Sequence, residues 1–377
     1  MGRGRPREPG QGGGVARRSV VAFSIGFAMT FVAAACGSGP APTGPAPSEA
    51  GSLVPNATAA RPGASATGSG ALRAPAGSSA PAASSAPPEP SSRSQPTVPF
   101  TARRLGVSLA VATTRAVAFA DGADLLLGGG LTASGTTAAV VRIVIAGDTS
   151  TAIGRLAYPV HDAGGASLGG RNLVFGGGSA IAEAWVQTAG PPTSATGPGA
   201  LPAPRADLAA VPVGTQVIIV GGGAAGRADP RVLATTDGVH YRVVARLPIA
   251  VRYAAVAAFD GRVFVVGGTS AAGDVAAIQI VDPGAGTARI VGRLGSARSH
   301  AAALAIGGEI VIAGGRHGGL ALDTMITVDP STFRVSSAGR LPLALSDAAA
   351  VMVGGVGYLL GGEDRGPLTT ILSISPT

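Results

Sequence analysis

The sequence predicts an all-β fold, six copies of a four-stranded antiparallel unit closed into a ring. Three observations carry this. A glycine doublet returns six times at near-constant spacing. Each doublet ends a short apolar strand. The stretch between doublets divides into four strand-length pieces. Four short strands per repeat and six repeats is the arithmetic of a six-bladed β-propeller.

The doublets read as Gly128-Gly129, Gly176-Gly177, Gly221-Gly222, Gly267-Gly268, Gly314-Gly315 and Gly361-Gly362, with first glycines 48, 45, 46, 47 and 47 residues apart. The runs that end in them are strands by composition: Leu125 to Leu127, Val217 to Val220, Val263 to Val266, Ile310 to Ala313. Glycine at a strand end permits positive φ and close backbone approach.

The unit is clearest from Arg293 to Pro342. Ala301 to Ile306 is a strand of small apolar residues, and Gly307-Gly308-Glu309 turns the chain into Ile310 to Ala313. The polar loop Arg316 to Gly319 leads to a third strand, Thr324 to Val328. Asp329-Pro330-Ser331-Thr332 is a tight turn by residue type, and Phe333 to Ala338 is the fourth strand. The first strand is poor in side chain in every repeat, as in Ala163 to Ala166 and Ala348 to Ala350, which suits the crowded axis of a propeller. The last repeat lacks a fourth strand. Thr97 to Leu105, which precedes the first repeat, ends in the Arg-Leu pair that ends fourth strands elsewhere. It is expected to supply the missing strand and seal the ring, removing an open edge.

Composition excludes several classes. The 377 residues include 60 glycines, 13% charged and 4% aromatic residues, a mix suited to short crowded strands rather than helices. The formal charge is +8, but the first 18 residues, with five arginines against Glu8, hold half of it. The remaining arginines are scattered, so the basic stripe of a nucleic-acid binder is missing. A single cysteine, Cys36, excludes an internal disulfide or a multi-cysteine metal site.

Residues 1–35 read as an address rather than as fold. A basic segment precedes the apolar stretch Ser19 to Ala35, short for a membrane span and right for a signal sequence. The stretch ends in Ala33-Ala34-Ala35-Cys36-Gly37, which resembles the bacterial lipobox, with Ala33 where that pattern prefers leucine. The resemblance implies acylation of Cys36, export, and lipid anchoring to the outer face of the bacterial cell membrane. Arg17-Arg18 fits twin-arginine export as well as the general route. Residues 36–96 are almost wholly Pro, Ala, Ser, Gly and Thr, too poor in apolar surface for a core, and read as a disordered spacer. Residues 97–377 form the repeat domain.

These repeats resemble the kelch repeat and the propeller domain of the galactose-oxidase family. The shared features are the apolar run into Gly-Gly, the turn Asp329 to Thr332, and the Leu-Pro-x-x-Arg connection at Leu201 to Arg205. The usual fourth-strand tryptophan is absent. Tyr241 is its nearest substitute, and Trp185 falls on a third strand.

In such a blade, the loops before the first strand and after the second emerge on one face. Fourteen residues before each first glycine stand Thr114, Asp162, Asp207, Tyr253, His300 and Asp347, each with a polar handle at the mouth of an Ala/Gly strand. Neighbours add His161, Arg205, Arg252 and Arg298, and the following loops add Arg227, Asp229, Asp274, Arg316, His317, Glu363, Asp364 and Arg365. The candidate ligand-binding set is Asp162, Asp207, Tyr253, Arg298, His300, His317, Asp347 and Glu363, a polar ring suited to a small polar ligand such as a sugar. The competing reading is that these groups merely solvate the channel mouth. No metal or cofactor is expected, since no His-x-x-x-His pair or phosphate loop occurs.

The expected function is a binding or scaffold module meeting a protein or glycan of the cell envelope, without nucleic acid. The resemblance also brings enzymes into view. Copper-radical oxidases need a tyrosine cross-linked to a cysteine, which Cys36 at the cleavage site cannot supply. A sialic-acid mutarotase needs only acid and base groups near the funnel, and Asp347, His300 or Glu363 would serve.

Overall fold

The computed structural model describes residues 1–2, 99–190 and 199–377. The expected signal segment, Cys36 and the expected 36–96 spacer lie outside the described residues apart from Met1 and Gly2. Among the described residues, no helix is long and apolar enough to cross a membrane.

Six antiparallel sheets form six blades, numbered here from the first complete repeat. Blade 5 is typical. From the axis outward it runs Ala302–Ile306, Glu309–Ala313, Thr324–Val328 and Val335–Arg340, each strand paired with the next. The inner strands of consecutive blades lie side by side, and that of blade 6, Ala349–Val353, meets that of blade 1, Val117–Asp121. The ring is therefore closed. The closing strand is Phe100–Arg104, which pairs with Ile371–Pro376 as the fourth strand of blade 6, in register Phe100 to Pro376 and Arg104 to Leu372. In blades 1, 3, 4 and 5 a register shift falls at the same place between third and fourth strands, as at Met325/Ile326. Such bulges increase local twist.

The core is divided into six clusters, one between each pair of neighbouring blades. Side chains of a strand alternate between faces. In blade 5, Ile310 and Ile312 accordingly pack against blade 4, while Val311 and Ala313 pack against blade 6. In blade 1, Leu125 and Leu127 meet Leu360 and Ile371 of blade 6, and Leu126 meets Val174 of blade 2. Ring closure thus carries a full share of apolar burial. Where the inner strand of blade 2 passes that of blade 3, there is no room even for a methyl group. A Cβ on Gly164 would lie 2.9 Å from the Ala210 nitrogen. The inner strands enclose an axial channel of about 500 Å³.

The doublet holds each blade to the next. Gly314 and Gly315 sit at φ +61° and +93°, and a Cβ on Gly314 would lie 2.1 Å from the Leu345 carbonyl oxygen. That close approach lets the Gly315 N–H donate to the same oxygen at 2.7 Å. The equivalent bond recurs at all six junctions, ending with Gly362 donating to Thr113 of blade 1. In blade 1 the structural doublet is Gly129-Gly130, not Gly128-Gly129. Gly128 belongs to the strand Asp124–Gly128 and pairs with Val117, while Gly129 and Gly130 hold the positive φ values. The Gly128-Gly129-Gly130 triplet conceals this one-residue offset.

Candidate functional site

One residue per blade lies at the axial mouth: Arg115, Asp162, Asp207, Tyr253, His300 and Asp347. All six are left-handed, with φ between 53° and 61°. Aspartate tolerates this region, whereas arginine and tyrosine must be held there. What holds them is a closed circuit of backbone hydrogen bonds. The N–H of each donates to the carbonyl of its counterpart in the preceding blade, at 2.8–3.1 Å, and Arg115 closes the circuit by donating to Asp347. The corrected doublet explains blade 1, where fourteen residues before Gly129 stands Arg115. Thr114, expected in this place, instead bridges to Leu131 at the base of the neighbouring loop.

The loops between second and third strands rise around this circuit as small hairpins, such as Thr269–Ser270 with Gly273–Asp274 and Arg316–His317 with Leu320–Ala321. Their bases bridge to the residue before each mouth residue, as Arg252 does to Thr269 and Ser346 to Glu363. Both loop sets thus share one face.

The side chains of the six residues line a cavity of about 130 Å³. His300 Nδ1 and Asp347 Oδ1 are 2.7 Å apart, and the imidazole stacks on the Tyr253 ring at 3.9 Å. Arg252 donates to Asp207 at 2.9 Å. Arg316 bonds Glu363 and lies 3.3 Å from Asp347 Oδ2. The Arg115 guanidinium is spread over three carboxylates, 3.4 Å from Asp162, 3.4 Å from Glu363 and 4.0 Å from Asp347.

These neighbours pull the carboxylates in opposite directions. Burial chiefly pushes the Asp162 carboxyl up, to about 7, against the charge of Arg115 and with help from Asp207 and Asp347. Burial pushes Asp347 up too, but the His300 hydrogen bond and the nearby positive charges outweigh it and leave the group below its ordinary value. Burial, then the charge of Arg115, pushes His161 down, and burial with Asp162 and Asp207 pushes Tyr253 up. Two titratable groups driven apart across one cavity are the arrangement acid–base chemistry uses.

Of the residues expected at the site, Asp162, Asp207, Tyr253, His300 and Asp347 line the cavity, and Glu363 is tied to it through Arg115 and Arg316. Arg298 and His317 are not among the lining residues. Arg298 is buried, and its guanidinium donates to the carbonyls of Gly314 and Thr324 and to the Thr324 hydroxyl. Arg205 does the same work in blade 3, donating to Gly221 and Arg231 carbonyls and to Asp229. His317 is exposed, with Nδ1 2.8 Å from the Ala297 carbonyl oxygen. Arg115 is the mouth residue that sequence reasoning missed.

Closed ring, six blades and polar axial mouth together define a six-bladed β-propeller. No protein-family model and no curated protein matches the chain. Among solved structures it is similar to the propeller protein described as "Structure of YjhT", at 14% identity and a TM-score of 0.58, over 71% of this chain and 95% of that one. At that identity the likeness shows the fold.

Proposed function

We propose that this chain is a kelch-type binding propeller, exported and held at the outer face of a bacterial cell membrane by an acylated Cys36. Its axial mouth takes the polar end of a small sugar-like ligand or of a glycan. The observation that supports this is the mouth itself, where three carboxylates, a guanidinium, an imidazole and a phenol converge on one small cavity. A cavity of about 130 Å³ has room for roughly four waters, hence for one end of a ligand and not for the whole of an oligosaccharide. The surrounding hairpins would hold the remainder. Calorimetric titration of the full chain with monosaccharides and cell-wall fragments, repeated with His300→Ala and Asp347→Ala, tests it. Binding by wild type that both variants lose supports the site, whereas equal binding by all three removes it from the mouth. Labelling with a radioactive fatty acid, lost in Cys36→Ser, tests the anchor.

A second reading follows from the His300–Asp347 hydrogen bond. The carboxylate orients the imidazole, and Asp162 stands three blades away around the same cavity with a pKa near neutrality. A base and an acid facing each other would open and close a sugar ring, as in a mutarotase. Polarimetry of a freshly dissolved anomer decides between the readings. Acceleration lost in His300→Gln supports catalysis, and a spontaneous rate with bound sugar leaves a binding module.

A further inference from the structure

We propose that the end of the ligand inserted in the mouth carries a primary ammonium group, and that the Asp162 carboxylate receives it. The inference rests on the reading of the mouth as a ligand site and names the chemistry of its guest.

Positive charge at the mouth is unevenly shared. Four carboxylates, Asp162, Asp207, Asp347 and Glu363, face three guanidiniums, Arg115, Arg252 and Arg316, and the His300 imidazole is spent on Asp347. Arg252 is committed to Asp207, and Arg316 to Glu363 and Asp347. Arg115 is divided among three partners and meets each at 3.4 Å or more. Asp162 is served worst. Its side chain is 10% exposed, and its contacts are the 3.4 Å approach of Arg115 to Oδ2 and the 3.6 Å approach of His161 Nε2 to the same oxygen. Among the described residues no hydrogen bond reaches Oδ1, although Asp162 lines the cavity. Unlike the buried Asp347 Oδ2, Asp162 Oδ1 is not closed off, so it can accept from a group that enters the cavity.

An ammonium group supplies what is missing, one positive charge and three donors in a compact head. An anionic guest has no such fit. The buried Arg115 Nε is without a partner, but it is closed off from solvent and lies among the same carboxylates. The elevated pKa of Asp162 agrees, since burial makes its ionised form one that the mouth's own groups stabilise poorly.

Three pyranoses that differ only at C6 test this: 6-amino-6-deoxyglucose, glucose and glucuronate, with n-butylammonium as a sugar-free probe. They are titrated into the full chain and into Asp162→Asn. Asparagine is at ease at positive φ, so this variant keeps the backbone circuit. The expected result at pH 8 is at least tenfold tighter binding of the amino sugar than of glucose, with glucuronate weakest, and no preference in Asp162→Asn. With wild type, affinity for butylammonium, which stays protonated throughout, should rise between pH 6 and pH 8 as Asp162 ionises. His161, His300, Asp207, Asp347, Glu363 and Tyr253 face the same space, so loss of that rise in Asp162→Asn assigns it. Equal binding of the three sugars, or glucuronate tightest, overturns the ammonium while leaving a sugar site. Butylammonium bound in an Asp162-dependent way with no sugar bound leaves the ammonium and removes the sugar. No binding of any probe overturns both.

Discussion

His300 and Asp347 are joined twice across neighbouring blades. The Asp347 N–H donates to the His300 carbonyl at 2.9 Å, and the His300 ring nitrogen Nδ1 lies 2.7 Å from Asp347 Oδ1. The backbone bond fixes where the two residues stand, and the side-chain bond fixes the imidazole plane and leaves Nε2 for other use. Because Asp347 sits below its ordinary value of 3.8, its ionised form stabilises the fold. That contribution is present above the unfolded pKa and is lost as pH falls through the folded one. Asp347→Asn is therefore expected to cost about 1–3 kcal/mol at pH 7, with the difference from wild type shrinking below about pH 4. Urea melts at the two pH values check it, and a constant difference would refute the linkage.

Asp162 should behave in the opposite sense. Its folded pKa, about 7, lies above the ordinary 3.8, so the folded state binds the extra proton between those values. Its stabilising influence is present below pH 4 and is lost as pH rises through 7. Asp162→Asn is expected to raise the melting temperature of the unliganded chain at pH 8 and leave it nearly unchanged at pH 4. The full difference is on the order of 4 kcal/mol. A substitution that destabilises at pH 8 would mean that Arg115 satisfies the carboxylate after all.

Arg298 separates structure from site. Its guanidinium is spent on the Gly314 and Thr324 carbonyls, and its counterparts in blades 2, 4 and 6 are Val160, Val251 and Leu345. A position that accepts apolar residues in three blades is a junction position rather than part of the mouth. Arg298→Ala is expected to lower stability by about 1–3 kcal/mol through the orphaned carbonyls. It should leave the affinity of any mouth ligand within twofold of wild type, as calorimetry would show.

How far the sequence reached follows from what repeats. The doublet is legible because its two glycines meet a backbone carbonyl of the next blade at every junction, a constraint that no other residue satisfies. Five of the six mouth residues follow from it by counting. Arg115 did not, because three consecutive glycines leave the register of blade 1 open by one residue, and only the φ values of Gly129 and Gly130 decide it. The sequence sets Arg298 at the rim because a loop position says nothing of side-chain direction. Two residues before His300, the chain turns its side chain toward the blade junction. The backbone circuit was out of reach for the same reason, being a property of φ values that aspartate, tyrosine and arginine share only in the folded ring.

The closing strand gives the remaining prediction. Phe100–Arg104 contributes a ladder with Ile371–Pro376, and Phe100 is buried with Leu304, Leu372 and Ile374 in the cluster between blades 5 and 6. Removing it would bare the outer edge of Ile371–Pro376, an invitation to pairing between chains. It would also open the Phe100 pocket, and loss of a buried phenylalanine alone costs about 3–5 kcal/mol. The six clusters are linked through the ring, so the loss should not stay local. A chain lacking Phe100–Arg104 is expected to melt at least 10 °C lower or to aggregate on purification. Phe100→Ala, which keeps the backbone ladder, should keep the oligomeric state of the wild type, with an intermediate melting temperature. A deletion variant that keeps the oligomeric state of the wild type and melts cooperatively at the wild-type temperature would show that blade 6 stands on three strands and that the ring is closed by its inner strands alone.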